Sequence, residues 1–76
     1  TLDLKTKEII VLSSLITQKD AKPQLKTHMQ AALKAGLTQQ ELLAMIKHLV
    51  PFVGFPSAIN ALLVAKEVFE AEFAKP

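Results

Sequence analysis

Between Leu33 and Leu43 the chain reads LKAGLTQQELL, a helix stop followed within two residues by a helix start. Gly36 can take the left-handed conformation that closes a helix after Lys34 and Ala35. Thr38-Gln39-Gln40-Glu41 is a capping box: the Thr38 hydroxyl accepts from an orphan amide, and the Glu41 carboxylate reaches back to the Thr38 amide. Leu37 and Leu42 stand where a hydrophobic staple needs apolar side chains. The middle of the chain is therefore two consecutive helices joined by a tight turn.

The same reading extends outward. Asp3 can cap a first helix whose apolar positions Leu4, Ile9, Leu12, Leu15 and Ile16 fit helical spacing better than alternation. The β-branched run Ile9-Ile10-Val11 argues mildly for a strand, but the length of the segment outweighs it. Residues 18–22 read as a surface turn. Pro23 suits a first helical position, where its missing N–H costs nothing, and the second helix carries Leu25, Met29, Ala32 and Leu33. A third helix carries Leu42, Leu43, Met45, Ile46, Leu49 and Val50 and should end before Pro51. A fourth starts near Pro56 or Ser57 and uses Ile59, Leu62, Leu63, Val68, Phe69 and Phe73. Its first half, AINALLVA, is apolar nearly all round, as in a helix buried by more than one neighbour. The expectation is an all-α, four-helix unit over residues 1–76, one domain.

Composition then limits how such a unit can exist. A chain of 76 residues, half of them hydrophobic, buries only about 60% of its potential surface by itself. The apolar surplus points to self-association. With no cysteine there are no disulfides, thiolate metal sites or thiol redox chemistry. The region Leu42 to Ala65 is the most apolar, yet it holds Lys47, His48, two prolines and Asn60, so no membrane span is expected. Nothing resembles a secretory signal, and a cytoplasmic location is expected. The chain begins at Thr1 rather than Met, as a segment of something longer would. All nine basic residues are lysines, mixed with seven acids. Without arginine forks or Tyr and Trp to stack on bases, nucleic acid is not an expected partner.

Two side chains, His28 and His48, are of the type whose unperturbed pKa lies near neutrality. His28 lies beside the apolar stripe of helix two, four residues after Gln24. His48 falls in the expected last turn of helix three, where the helix dipole favours its charged form. Among Glu8, Glu41, Glu67 and Glu70, Glu8 is the best partner for an imidazole, since it adjoins the apolar face of helix one, and such a partner would fix a tautomer for acid–base work. Each has a plain structural alternative: His48 capping its own helix, Glu41 serving the capping box, Glu8 pairing with Lys5 on a solvated face. Two histidines twenty residues apart, with no HxxxH pair, do not make a metal site. In HLVPFVGFPSAINALL, Gly54 permits an unusual backbone angle, and Phe52, Val53 and Phe55 would turn inward as a wall. Asn60, one turn into a helix expected to be buried, must find polar partners.

The segments LDLKTKEIIVLSSLI and LKTHMQAALKAGLTQQELLAMIKHLVPFVGFPSAINAL resemble the carboxymuconolactone decarboxylase family, which includes the AhpD-like alkylhydroperoxidases. The joint pattern H-x-x-x-A-L-x-x-G-x-T-x-x-E, then H-x-x-x-F-x-G-x-P, covers His28, Ala32, Leu33, Gly36, Thr38, Glu41, His48, Phe52, Gly54 and Pro56. The resemblance implies an orthogonal or antiparallel helical domain of the AhpD-like type, whose usual further N-terminal helix is either absent here or not ordered, that assembles as trimers or hexamers with pockets near subunit contacts. Its peroxidase branch uses a C-x-x-C pair before a histidine like His28. This chain has Ala21-Lys22-Pro23-Gln24-Leu25 there, so that mechanism is excluded unless a partner supplies the thiols. The decarboxylase branch needs no thiol and no bound cofactor. It implies a carboxy-lyase acting on a small anionic lactone or related acid, with His28 as proton donor or acceptor, Glu8 orienting it and His48 adding positive charge. Phe52, Phe55 and Asn60 would line the substrate pocket. Ala44 stands where many relatives carry glutamate, and Phe52 where tyrosine is common, so contacts made by those groups are missing here. The alternative is a non-catalytic helical oligomer or small-ligand binding module on the same fold.

Overall fold

The computed structural model describes residues 1–74, folded as four helices with no strand among them. They are α1 (Leu4–Gln18), α2 (Lys22–Lys34), α3 (Gln39–Val53) and α4 (Phe55–Ala74). Helices α1 and α2 pack as one neighbouring pair and α3 and α4 as another, and α4 also lies against α2. A radius of gyration of 11.6 Å is close to the ~11 Å of a compact chain this long.

The local signals form as the residue types dictate. Asp3 Oδ1 accepts from the Thr6 amide at 2.7 Å and caps α1. At the end of α2 the Gly36 amide donates to Leu33 O and the Leu37 amide to Ala32 O, with Gly36 at φ +106°, which is a Schellman motif. Both halves of the capping box are made: Glu41 N to Thr38 Oγ1 at 3.0 Å and Thr38 N to Glu41 Oε1 at 2.9 Å. Leu37 and Leu42 are buried on either side of it, as a staple requires.

The corner between α3 and α4 departs from expectation. Helix α3 does not end before Pro51; it continues through it to Val53. A proline costs about 3 kcal/mol in a helix interior because it removes an N–H and crowds the carbonyl four residues back. Both costs fall on the Lys47 carbonyl in the turn before, and the helix runs only two residues past the proline. The helix stops instead at Gly54, whose φ of +85° suits a residue without Cβ. The same glycine donates to Val50 O and accepts from the Ala58 amide, so one residue ends α3 and begins α4. Helix α4 consequently starts at Phe55, earlier than Pro56 or Ser57.

The core is built from Leu12, Ile16, Leu25, Met29, Ala32, Leu37, Leu42 and Ile46 against Ala58, Ala61, Val64, Ala65 and Val68 of α4. Small residues, rather than the larger apolar ones, form the buried face of α4. Of the stripe expected there, Val68 is buried and Leu62 and Phe69 pack partly against the core, whereas Ile59, Leu63 and Phe73 are exposed. Alanines let neighbouring helices approach closely, and that choice turns Ile59 and Leu63 outward. Leu4 of α1 is likewise exposed. No helix among the described residues is long and apolar enough to cross a membrane.

Candidate active site

Two helices bring His28 and Glu8 together. Glu8 lies in the second turn of α1 and His28 midway along α2, and His28 Nδ1 stands 3.0 Å from Glu8 Oε1. The positions that anchor the pair flank it: Leu12 on α1 and Met29 on α2 are both fully buried. The Glu8 side chain is only 16% exposed, while that of His28 is 40% exposed, so the ring is held on its inner side and open on its outer side. A carboxylate only accepts, so the contact places the proton on Nδ1 and leaves Nε2 directed away from the pair. A neutral imidazole in this tautomer accepts at Nε2 and, once protonated there, donates. Lys5, the alternative partner for Glu8, bridges to Glu41 Oε2 at 2.9 Å instead.

Beside His28 is an open depression of about 260 Å³ lined by Pro23, Gln24, Thr27 and His28. Its polar wall was legible only as a spacing, Gln24 four residues before His28, and Thr27 carried no sequence signal at all. The Thr27 hydroxyl donates to Pro23 O at 3.1 Å.

The other expected residues lie elsewhere. His48 is exposed on α3 and, because the helix runs on to Val53, it is not in the last turn, where the dipole acts most strongly. Its ring is tilted 52° against that of Phe52, with centroids 6.1 Å apart. Phe52 and Phe55 do not turn inward; they are 76% and 70% exposed, and Val53 alone of the three packs against the core. The reason is the extra turn of α3, which carries Phe52 onto the same outer face as Ala44 and His48. Asn60 is exposed rather than buried, and it borders a cleft of about 20 Å³ with Ser57, Lys19 and Lys22. That space holds about one water molecule. Among the described residues no three His, Cys, Asp or Glu side chains cluster as metal ligands would.

Two carboxylates are shifted, and both serve helix starts. Hydrogen bonds from Thr6 hold the Asp3 carboxyl below its usual value. The Thr38 amide, followed by Lys5, does the same for Glu41.

Residues 1–67 match the model of the carboxymuconolactone decarboxylase family. The chain belongs to that family. Among curated proteins it is 33% identical over 72 residues to an uncharacterised 15.0 kDa protein from the nqo9–nqo10 intergenic region of Paracoccus denitrificans, covering 93% of this chain and 54% of that protein. It is 30% identical over 80 residues to nitrosuccinic acid decarboxylase npaB of Metarhizium robertsii, covering 99% of this chain and 55% of the relative. The chain thus spans about half the length of these two relatives.

Proposed function

We propose that the protein is a carboxy-lyase that uses His28 as its acid–base group, Glu8 as the residue that orients it, and no bound cofactor. The substrate class is a small anionic lactone or related acid. The observation that carries the reading is the 3.0 Å contact between His28 Nδ1 and Glu8 Oε1, across two helices, with the ring open to a depression. One of the family relatives is a nitrosuccinic acid decarboxylase, which adds a small diacid to the candidates.

In the proposed step the bond between carbon and the departing carboxylate breaks, carbon dioxide leaves, and the electron pair stays on carbon as an enolate-like anion. Protonated His28 then delivers the Nε2 proton to that carbon. Glu8 stabilises the imidazolium before that transfer and keeps Nε2 aimed outward, and solvent returns a proton to Nε2 afterwards. Hydrogen-bond donors placed where the negative charge grows lower the barrier further.

Turnover of 4-carboxymuconolactone and of nitrosuccinate, read as carbon dioxide release, tests the reading. The expected result is release with at least one of them, lost in His28→Ala while the helical circular dichroism is retained. A folded, assembled protein that releases nothing from either acid would overturn it.

A second reading concerns assembly, and it rests on surface. Leu2, Leu4, Ile10, Phe52, Phe55, Ile59, Leu63 and Phe73 are all at least half exposed. Phe55, Ile59 and Leu63 recur every fourth residue along one face of α4. No Asp, Glu or Lys occurs from His48 to Ala65, so that face carries no formal charge apart from a protonated His48. Contiguous apolar patches of this kind mark interaction surfaces. We infer a homo-oligomer, a trimer or hexamer, in which Phe52, Phe55 and His48 complete a pocket wall only when a second copy covers them. Phe52→Ser with Phe55→Ser should give a smaller species by sedimentation with unchanged helicity; an unaltered mass would reject this face as the interface.

A further inference from the structure

The wall around His28 has few groups left to hold a ligand. Thr27 Oγ1 is already spent on Pro23 O, and Pro23 has no N–H to give. His28 Nδ1 is engaged by Glu8. Of the polar side chains lining the depression, that leaves His28 Nε2 and the Gln24 carboxamide, which has no partner among the described residues. Gln24 and His28 are one helical turn apart on α2, which sets their Cβ atoms about 5–6 Å apart on one face.

We propose that Gln24 is the substrate-positioning residue of this site, its side-chain N–H groups donating to a carboxylate that the substrate retains while His28 Nε2 faces the carbon that loses carbon dioxide. The proposal rests on the carboxy-lyase reading and narrows its substrate to a short diacid, with the two carboxylates separated by about one helical turn or less. An amide fits the task because it offers two donors and no charge. The neutral amide orients one end and leaves the other to react.

The test separates binding from turnover. Succinate is a short diacid that lacks an activating group for decarboxylation, so it reports on the contact alone. Titrated into the ¹⁵N-labelled full chain, it should shift the Gln24 side-chain amide and the His28 ring saturably and together. Gln24→Leu should weaken that binding about fivefold, the loss of one hydrogen bond, and Gln24→Glu should abolish it by charge repulsion. Gln24 is exposed, so both variants should keep the fold. In turnover assays Gln24→Leu should raise KM with little change in kcat, the reverse of His28→Ala. Succinate that shifts neither group, or that binds Gln24→Leu as well as the unmodified chain, overturns the inference whatever the activity. Succinate bound through Gln24 in a protein that decarboxylates no acid sinks the carboxy-lyase reading and leaves the Gln24 contact standing as a diacid-binding site.

Discussion

The molecule carries two histidines inside two helices, and the fold treats them oppositely. His28 meets a carboxylate from another helix, is half covered, and opens onto a depression. His48 has, among the described residues, a ring contact with Phe52 of its own helix and faces outward. The same side chain is therefore oriented by a carboxylate in one place and part of an exposed apolar surface in the other. An imidazole becomes chemically specific when a second, rigid element fixes its tautomer, and α1 does that for His28 alone.

Replacing each histidine breaks the contrast most directly. His28→Ala should lower kcat by about 10²–10⁴, the usual worth of a positioned acid–base group, whereas His48→Ala should stay within about tenfold. Equal losses, measured as carbon dioxide release, would erase the distinction between the sites. Glu8→Gln is the next step down. It keeps an acceptor near Nδ1 but removes the charge that stabilises imidazolium, so kcat should fall about tenfold with KM unchanged and the ¹⁵N ring signals of His28 should move. If the ring signals stay put, Glu8 is a neighbour and not an orienting group.

The two interhelical corners sharpen the contrast on the side of stability. Gly54→Ala forces a Cβ into φ +85° and should cost about 1–2 kcal/mol, read as a lower denaturant midpoint. The His28 ring signals should be unaffected, because the corner lies on the His48 side of the molecule. Acid gives the smallest effect. Asp3 and Glu41 have folded-state pKa values below those of the unfolded chain. Their contribution is present in full above the ordinary carboxylate range, near pH 4, and is lost as pH falls through the lowered folded values. Melting temperature should therefore drop on acidification below about pH 4, less steeply with Asp3→Asn, and a slope unchanged by that variant would argue that other carboxylates carry the effect.

Much of the fold was legible in advance because its signals are local. The Gly36 stop and the Thr38 to Glu41 box involve groups within a few residues of each other, so their hydrogen bonds form as soon as the chain is helical. The site was half legible. Glu8 could be singled out as a partner for His28 from its place beside the apolar face of α1, but nothing in the spacing could say that Lys5 would take Glu41 and leave Glu8 to the histidine. The inward turn expected of Phe52 and Phe55 failed for a related reason. Proline alone does not decide whether a helix ends before Pro51 or runs on to Val53; the glycine at which the chain turns follows Val53 directly.

By itself, then, the sequence determined where α1 begins, α2 stops and α3 begins: Asp3, Gly36, Thr38 and Glu41 act through bonds closed within about one turn, and the number and order of helices follow. Only the tertiary structure decided which face each helix buries. On α4 alanines won over isoleucine and leucine, because burial there depends on how near a neighbouring helix can come, and that distance is set by all four helices at once. The convergence of Glu8 and His28 has the same origin, since residues twenty apart in the chain meet only through the rotation and register of the two helices that carry them.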